Sequence, residues 1–322
     1  MYPDLVPELP EVETIVRGLE RRVTDDTIES VWIGSRTQPL KSSAALICRT
    51  LEGKGIAAVR RAGKHIVFEL KIHSDDRNEA QKKNAASATR RRLRERAAPG
   101  ARVSRKPAIA VDEKLTDPIG EENGAAHWVV HLGMTGRMLV CDPAAEVAKH
   151  THLIARLASG RELRFVDPRM FGKLSVHSYG FDPGGVEPLE VSEANFIALF
   201  RGRKTPIKSA LLNQKLVRGV GNIYADESLF RAGIRPRRRA ASITRQDLSR
   251  LYHSVREVLR EAIAAGGSSV SDYVDADGEA GFFQLEHRVY GREGEPCRNC
   301  GSTIRRIVLG GRSSHYCPNC QR

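Results

Sequence analysis

The chain has 322 residues, 40% of them apolar, and a formal net charge of +13, which leaves room for two domains with ordinary cores and points to a polyanionic partner. No apolar run approaches the roughly 18 residues that a membrane span requires, and the first residues lack the basic start and apolar stretch of a signal peptide, so a soluble, cytoplasmic protein is expected. Much of the charge is local, because residues 82–106 hold ten Lys or Arg against a single acid, Glu95.

In chain order, the first predicted element is a helix. Pro10 suits a first helical position, Glu11 and Glu13 suit the positive end of the helix dipole, and Val12, Ile15, Val16 and Leu19 recur at helical spacing. Short β-rich runs follow at residues 30–33, 56–61, 65–72, 128–132, 137–140, 153–157 and 162–166, with turn residues between them. They predict an antiparallel sandwich or barrel. Residues 74–125 interrupt it with Arg/Ala/Ser-rich sequence of neither periodicity, read as a disordered basic insertion. The stretch Tyr179-Gly180-Phe181-Asp182-Pro183-Gly184-Gly185 breaks regular structure and opens a linker over 179–191. From Ser192 the pattern is helical. It runs through Phe196, Leu199 and Phe200, then residues 223–231, then 244–265, where Leu248, Leu251, Val255, Val258 and Leu259 share a face and Gly266-Gly267 stops the helix. The expected architecture is α+β and multidomain: a β-sandwich with a leading helix over 7–178, a helical unit over 192–291, and a small terminal hairpin unit over 292–322.

That last unit carries the sharpest chemical signal. Cys297-x2-Cys300-x16-Cys317-x2-Cys320 is two CxxC knuckles able to give four thiolates to one tetrahedral zinc, in a tail too short to fold on an apolar core. Four protein ligands leave no open position, so the zinc is structural. Arg305, Arg306 and Arg312 lie between the knuckles and suit a hairpin that meets DNA. Cys48 and Cys141 stand apart as inert buried thiols, consistent with a reducing compartment. Gly219-Val220-Gly221-Asn222 stands just before a helix, where outward N–H groups can bind a phosphate. In Pro7-Glu8-Leu9-Pro10-Glu11, a proline at a chain start would carry a secondary amine of pKa about 8, a nucleophile near neutral pH. Six residues precede it here. Val6 would also be the conceptual translation of a GUG start codon, so a working chain beginning at Pro7 is expected; the alternative is a genuine extension that blocks the amine.

These segments resemble the formamidopyrimidine-DNA glycosylases over nearly the whole chain, except residues 1–6 and about 74–125. The likeness rests on Pro7 to Thr14, His131-Leu132-Gly133-Met134-Thr135-Gly136-Arg137, Asp167-Pro168-Arg169-Met170-Phe171-Gly172, Arg203-Lys204-Thr205-Pro206-Ile207-Lys208, Gly219 to Glu227 and the cysteines. The resemblance implies that Pro7 is the nucleophile, Glu8 the proton donor to the sugar and Glu11 a support to the active site. Lys64 would assist the first elimination and Arg312 the second. It also implies a helix-two-turns-helix unit whose Asn222, with Arg203 and Lys208, contacts phosphates, and a DNA-contacting His150. Met134, Arg169 and Phe171 would fill the gap left by an extruded base and face its orphaned partner. Gly266 to Tyr273, running on to Gln284, resembles the loop that caps an extruded oxidised purine.

The reading is a bifunctional glycosylase and AP lyase removing 8-oxoguanine and formamidopyrimidines from damaged double-stranded DNA, leaving a one-nucleotide gap. A monomer is expected, with one structural zinc, no small-molecule cofactor and a place on the nucleoid. Leu9 favours this branch over the endonuclease VIII type, which acts on oxidised pyrimidines. A non-catalytic damage binder remains if Pro7 is blocked.

Overall fold

The structure, a computed structural model, describes residues 6–72, 126–178, 180–268 and 281–322. The expected insertion over 74–125 and most of the expected base-capping segment lie outside them. The order of elements is α1 (Leu9–Val23), β1 (Ile28–Ile33), α2 (Ala44–Leu51), β2 (Lys54–Ala62), β3 (His65–Ile72), β4 (Ala126–His131), β5 (Arg137–Cys141), β6 (Thr151–Leu157), β7 (Glu162–Val166), β8 (Lys173–His177), α3 (Glu193–Ala198), α4 (Ile207–Leu211), α5 (Asn222–Arg231), α6 (Arg245–Ala264), β9 (Arg305–Leu309) and β10 (Arg312–Tyr316). The fold is α+β. Among the described residues, no helix is long and apolar enough to cross a membrane.

Two four-stranded antiparallel sheets, ordered β1-β6-β7-β5 and β2-β3-β4-β8, pack face to face. Alternation along β3 turns Ile66, Phe68 and Leu70 inward opposite Val130, Trp128 and Ala126 of β4. The Phe68 and Trp128 rings stack with centroids 4.6 Å apart. Three elements go beyond the sequence expectation, the five-residue helix α4 among them. Helix α2 is only two turns long, capped by Ser43 accepting from the N–H of Leu46 at 3.2 Å. Strand β8 carries one fully buried apolar residue, Leu174, so it has no hydrophobic run to read; pairing with β4 makes it a strand.

The second core gathers α3 to α6 around Phe196, Phe200, Ile223, Tyr224, Leu251 and Leu259. Leu9, the first residue of α1, is buried in this core, while Val12, Ile15, Val16 and Leu19 are buried in the sandwich. One helix therefore seals both halves. The Leu9 N–H donates to Gly219 O at 3.0 Å, and a Cβ on Gly219, at φ +86°, would come within 2.8 Å of Leu9 Cδ1.

A buried ion pair closes the same seam. Arg61, at the end of β2, donates bidentately to Glu187 at 2.8 and 2.9 Å and through Nε to Glu13 of α1 at 2.9 Å. It also donates to Gly63 O, in the turn that carries Lys64. Arg218 adds a 3.3 Å contact to Glu187. Replacing Arg61 by Met strands most of a buried carboxylate. The expected loss is near the low end of the ~3–5 kcal/mol typical of broken buried pairs, because Arg218 remains. Urea unfolding measures it, and the double variant Arg61→Met/Glu187→Leu is expected to recover much of the stability. A single variant as stable as the parent would remove the pair from this role.

Candidate active site

Glu8 is the N-cap of α1, yet its carboxylate serves a different helix. Oε1 accepts from the N–H of Ile223 at 3.1 Å and Oε2 from that of Tyr224 at 3.5 Å, in the first turn of α5. The positive end of a helix dipole meets an acid carried by the other half of the molecule. Gly221 makes the approach possible, since a Cβ there would lie 2.1 Å from Glu8 Cδ. Burial pushes the Glu8 carboxyl up to about 7; Lys64 opposes the rise, Glu11 adds to it, and the two helix N–H groups oppose it.

Glu11 is buried beside it. Its Oε2 accepts from Glu8 N–H at 2.9 Å, and its Oε1 accepts from Ser268 N–H at 2.8 Å and from the Tyr224 hydroxyl. Burial raises its carboxyl too, against those hydrogen bonds. Tyr224 and Ser268 lie in segments the sequence singled out, but their link to Glu11 escaped it. Tyr224 stands inside the glycine-rich motif and resembles a core residue there, and its partner is more than two hundred positions away.

Pro7, next to Glu8 in the chain, is buried at the head of α1. Lys64 lies in the tight turn between β2 and β3; burial lowers its ammonium, Glu8 and Glu11 pull it back up, and Arg312 pushes it down. Arg312 is exposed at the start of β10. Asn222 opens α5 and donates through Nδ2 to Ser313 Oγ at 3.3 Å, while its Oδ1 is buried without a partner. Residues from α1, the β2–β3 turn, α5 and β10 thus converge on one place.

Lys208, expected at a phosphate, lies inside the fold. It is fully buried, its ammonium 2.7 Å from Asp226 Oδ1 and 2.6 Å from Ser313 O. In this arrangement it ties α4 to α5 and β10, and a phosphate would have to compete with a buried carboxylate for it. Asp226 also accepts from His315 N–H at 2.8 Å. Arg203 remains exposed, in the turn before α4.

The other candidates form a separate group on the sandwich. Met134 sits in the β4–β5 turn, and Arg169 and Phe171 sit in the β7–β8 turn. Phe171 is 49% exposed, with the Arg169 guanidinium 4.9 Å from its ring centroid. His150, just before β6, is half-buried, and its carbonyl accepts from Asp167 N–H at 3.0 Å.

At the terminus, β9 and β10 form a hairpin beside the two knuckles. The four cysteine sulfurs lie within 4.8 Å of one another, with Cys297–Cys320 at 3.9 Å and Cys300–Cys317 at 3.5 Å. Sulfurs about 2.3 Å from a tetrahedral zinc stand ~3.8 Å apart, so this donor set fits one structural zinc. Around it, among the described residues, the unit contributes Cys297, Ile304 and Cys317 to a small buried cluster completed by Phe230 of α5 and Val289.

Comparison with known proteins agrees along the chain. Residues 6–174 match the family model described as formamidopyrimidine-DNA glycosylase N-terminal domain, residues 185–274 its H2TH domain, and residues 294–322 the zinc finger found in FPG and IleRS. Formamidopyrimidine-DNA glycosylases of Solibacter usitatus and Desulfitobacterium hafniense are 41% and 38% identical, each over 98% of this chain and 100% of the relative. The crystal structure of the MutM (FPG) protein of Thermus thermophilus superposes with a TM-score of 0.73 at 35% identity, covering 98% of both chains. That of Lactococcus lactis Fpg with an abasic-site-containing DNA gives 0.75 at 28% identity, over 98% of this chain and 99% of the other.

Two histidines, His287 buried and His131 half-buried, weaken the fold towards acid pH. Burial pushes His131 and His287 down to about 4. The unfolded chain, with histidines near 6.5, binds these protons first, so the stability is present above pH 6.5 and lost as the pH falls through 4. Urea unfolding of the parent and of His287→Gln at pH 6.5, 5.5 and 4.5 isolates this contribution from the opposite one of the raised Glu8 and Glu11 carboxyls: the parent is expected to lose stability relative to the variant as the pH falls, by up to ~1.4 kcal/mol per pH unit. An equal difference between parent and variant at pH 6.5 and 4.5 would contradict the neutral, buried state of His287.

Proposed function

The chain belongs to the formamidopyrimidine-DNA glycosylase family and is a base-excision repair glycosylase, and from that premise we propose how its residues divide the reaction. The substrate is damaged double-stranded DNA carrying 8-oxoguanine or a ring-opened formamidopyrimidine. The Pro7 nitrogen, freed of the residues before it, attacks C1′ and displaces the base. Glu8 delivers a proton to the sugar ring oxygen, opening the ring and giving an iminium. The cation acidifies the C2′ hydrogen; the 3′ phosphate leaves with help from Lys64, and the 5′ phosphate follows with help from Arg312. A one-nucleotide gap remains.

The observation that carries this reading is the Glu8 carboxyl, buried beside Pro7 and raised to about 7. About half of such a group still holds its proton at neutral pH. Glu11 keeps Glu8 in register through the Glu8 N–H. Lys64, lowered by burial, sheds and takes up protons more readily than a surface lysine.

DNA is held on both sides of this centre. Asn222 is a phosphate contact: with its amide turned over, Oδ1 would accept from the Ser313 hydroxyl and Nδ2 would be free to donate. Arg203 and His150 are further backbone contacts, and Lys208 acts from beneath by fixing the Ser313 carbonyl. Met134 and Phe171 fill the gap left by the extruded base, and Arg169 faces its partner. One chain supplies every group named, so the enzyme works as a monomer on nucleoid DNA, with zinc holding Arg312 in place and no small-molecule cofactor.

A chain beginning at Pro7 is expected to form a borohydride-trappable adduct with 8-oxoguanine duplex, and one retaining residues 1–6 to form none, because acylation removes the lone pair. Equal trapping by both would sink the Pro7 assignment. A duplex carrying thymine glycol serves as the comparison, and preferred cleavage of it would move the substrate to oxidised pyrimidines. Excision is also expected to fall as the pH rises through about 7, where Glu8 loses its proton. Glu8→Gln should bind lesion DNA but retain under ~1% of the excision rate, with that limb of the profile gone, since acid catalysis contributes about 10²–10⁴-fold. Near-normal excision by Glu8→Gln would take Glu8 out of the mechanism.

A further inference from the structure

The turns that carry Met134, Arg169 and Phe171 stand apart in the sequence, and to act together on one gap in a duplex they must be held as a unit. We propose that Asp167 is the positioning residue that holds them, and that it thereby sets the preference for the base opposite the lesion. The inference rests on the proposed role of Met134, Arg169 and Phe171 in filling the gap and facing the orphaned base.

Asp167 follows β7 and is fully buried. Its Oδ1 accepts from the Thr135 hydroxyl at 2.6 Å, and Thr135 belongs to the turn of Met134. Its Oδ2 accepts from Gly172 N–H at 2.7 Å, and its Oδ1 also from Arg169 N–H at 3.3 Å, both in the turn of Phe171. The Thr135 hydroxyl in turn accepts from Arg169 N–H at 3.3 Å. One carboxylate thus bridges both turns, with neutral donors only among these contacts. A buried carboxylate is costly unless its lone pairs are filled, and here they are filled by the two loops.

The main chain of Asp167 fixes the pair to the sheet. Its N–H donates to His150 O at 3.0 Å, and its carbonyl lies 2.9 Å from His152 Nε2. The turns also touch backbone to backbone, since a Cβ on Gly133, at φ +66°, would come within 2.5 Å of Gly172 N. Between Arg169 and Phe171, Met170 is held at φ +58°, a left-handed conformation that L side chains rarely adopt, with its N–H donating to Asp167 O at 3.3 Å. Such a conformation persists only where its surroundings over-determine it. It aims the side chains on either side outward from one rigid base.

The contacts are severed from two sides. Asp167→Asn keeps the shape but cannot satisfy all three donors: with Oδ1 toward Gly172 its amide donates to the Thr135 hydroxyl and leaves the Arg169 N–H facing a second donor, and turned over it sets an N–H against that of Gly172. Thr135→Val removes the hydroxyl and leaves the Gly172 contact. Single-turnover excision of 8-oxoguanine paired with cytosine and with adenine is measured for the parent, both variants and Arg169→Ala, together with strand cleavage at a preformed abasic site. Asp167→Asn is expected to lower excision opposite cytosine at least tenfold and the cytosine-to-adenine ratio at least fivefold, with abasic-site cleavage within about threefold of the parent. Thr135→Val should move the same way by a smaller factor, and it decides the matter if Asp167→Asn does not fold. A changed ratio in Arg169→Ala with an unchanged ratio in the other two overturns the inference alone. Abasic-site cleavage falling in step with excision overturns it as well, by reducing Asp167 to a residue the whole fold needs. An unchanged ratio in Arg169→Ala overturns the underlying role of the triad, and the inference with it.

Discussion

A carboxylate at the N-terminus of a helix to which it does not belong is the contact on which the rest of this molecule depends. Glu8 caps α1 from its own side and receives the first N–H groups of α5 from the other. Were this joint apolar, the two halves could still associate, but the acid would have no fixed direction. The helix dipole and the glycine at position 221 give it one. Burial then raises its carboxyl to about 7 against the pull of those hydrogen bonds, the state that the proposed proton delivery requires.

Around this joint, buried polar groups pair segments that are distant in the chain. Arg61 spans α1, the turn of Lys64 and Glu187; Lys208 and Asp226 join α4 to α5 and reach Ser313; Glu227 accepts three successive N–H groups from Arg288, Val289 and Tyr290 at 2.7–3.0 Å. Directional bonds of this kind add little net stability but specify one arrangement, because any slip leaves a buried charge or donor unpaired. A centre assembled from four distant segments gains register from them that apolar contact alone would not impose.

The terminal ribbon extends the same logic. Its own core is too small to order a hairpin, so metal binding and folding are one event there. Ser313 and His315 of β10 are tied to Lys208 and Asp226, and Arg312 stands beside them. Zinc thus acts on the active site through the position of a strand.

Chemistry concentrated in short contiguous motifs was legible in the chain itself. The cysteine knuckles, the glycines before α5, the proline–glutamate start and the alternating runs of the sandwich each need only neighbours within a few residues, and each led to the element or site in which it occurs. The family resemblance supplied proposed roles that spacing alone could not, such as those of Met134 and Lys64. Tertiary structure decided what depends on distant partners. Lys208 is expected at a phosphate, and its burial against Asp226, eighteen residues on, is nowhere marked in the segment around it. Strand β8 exists because β4 offers it a ladder, and Tyr224 and Ser268 join the site because Glu11, from the other end of the chain, is folded against them. Local periodicity and composition are properties of one segment and survive in the sequence; burial, pKa and hydrogen-bond partnership belong to pairs of segments and come into being only when the chain has closed.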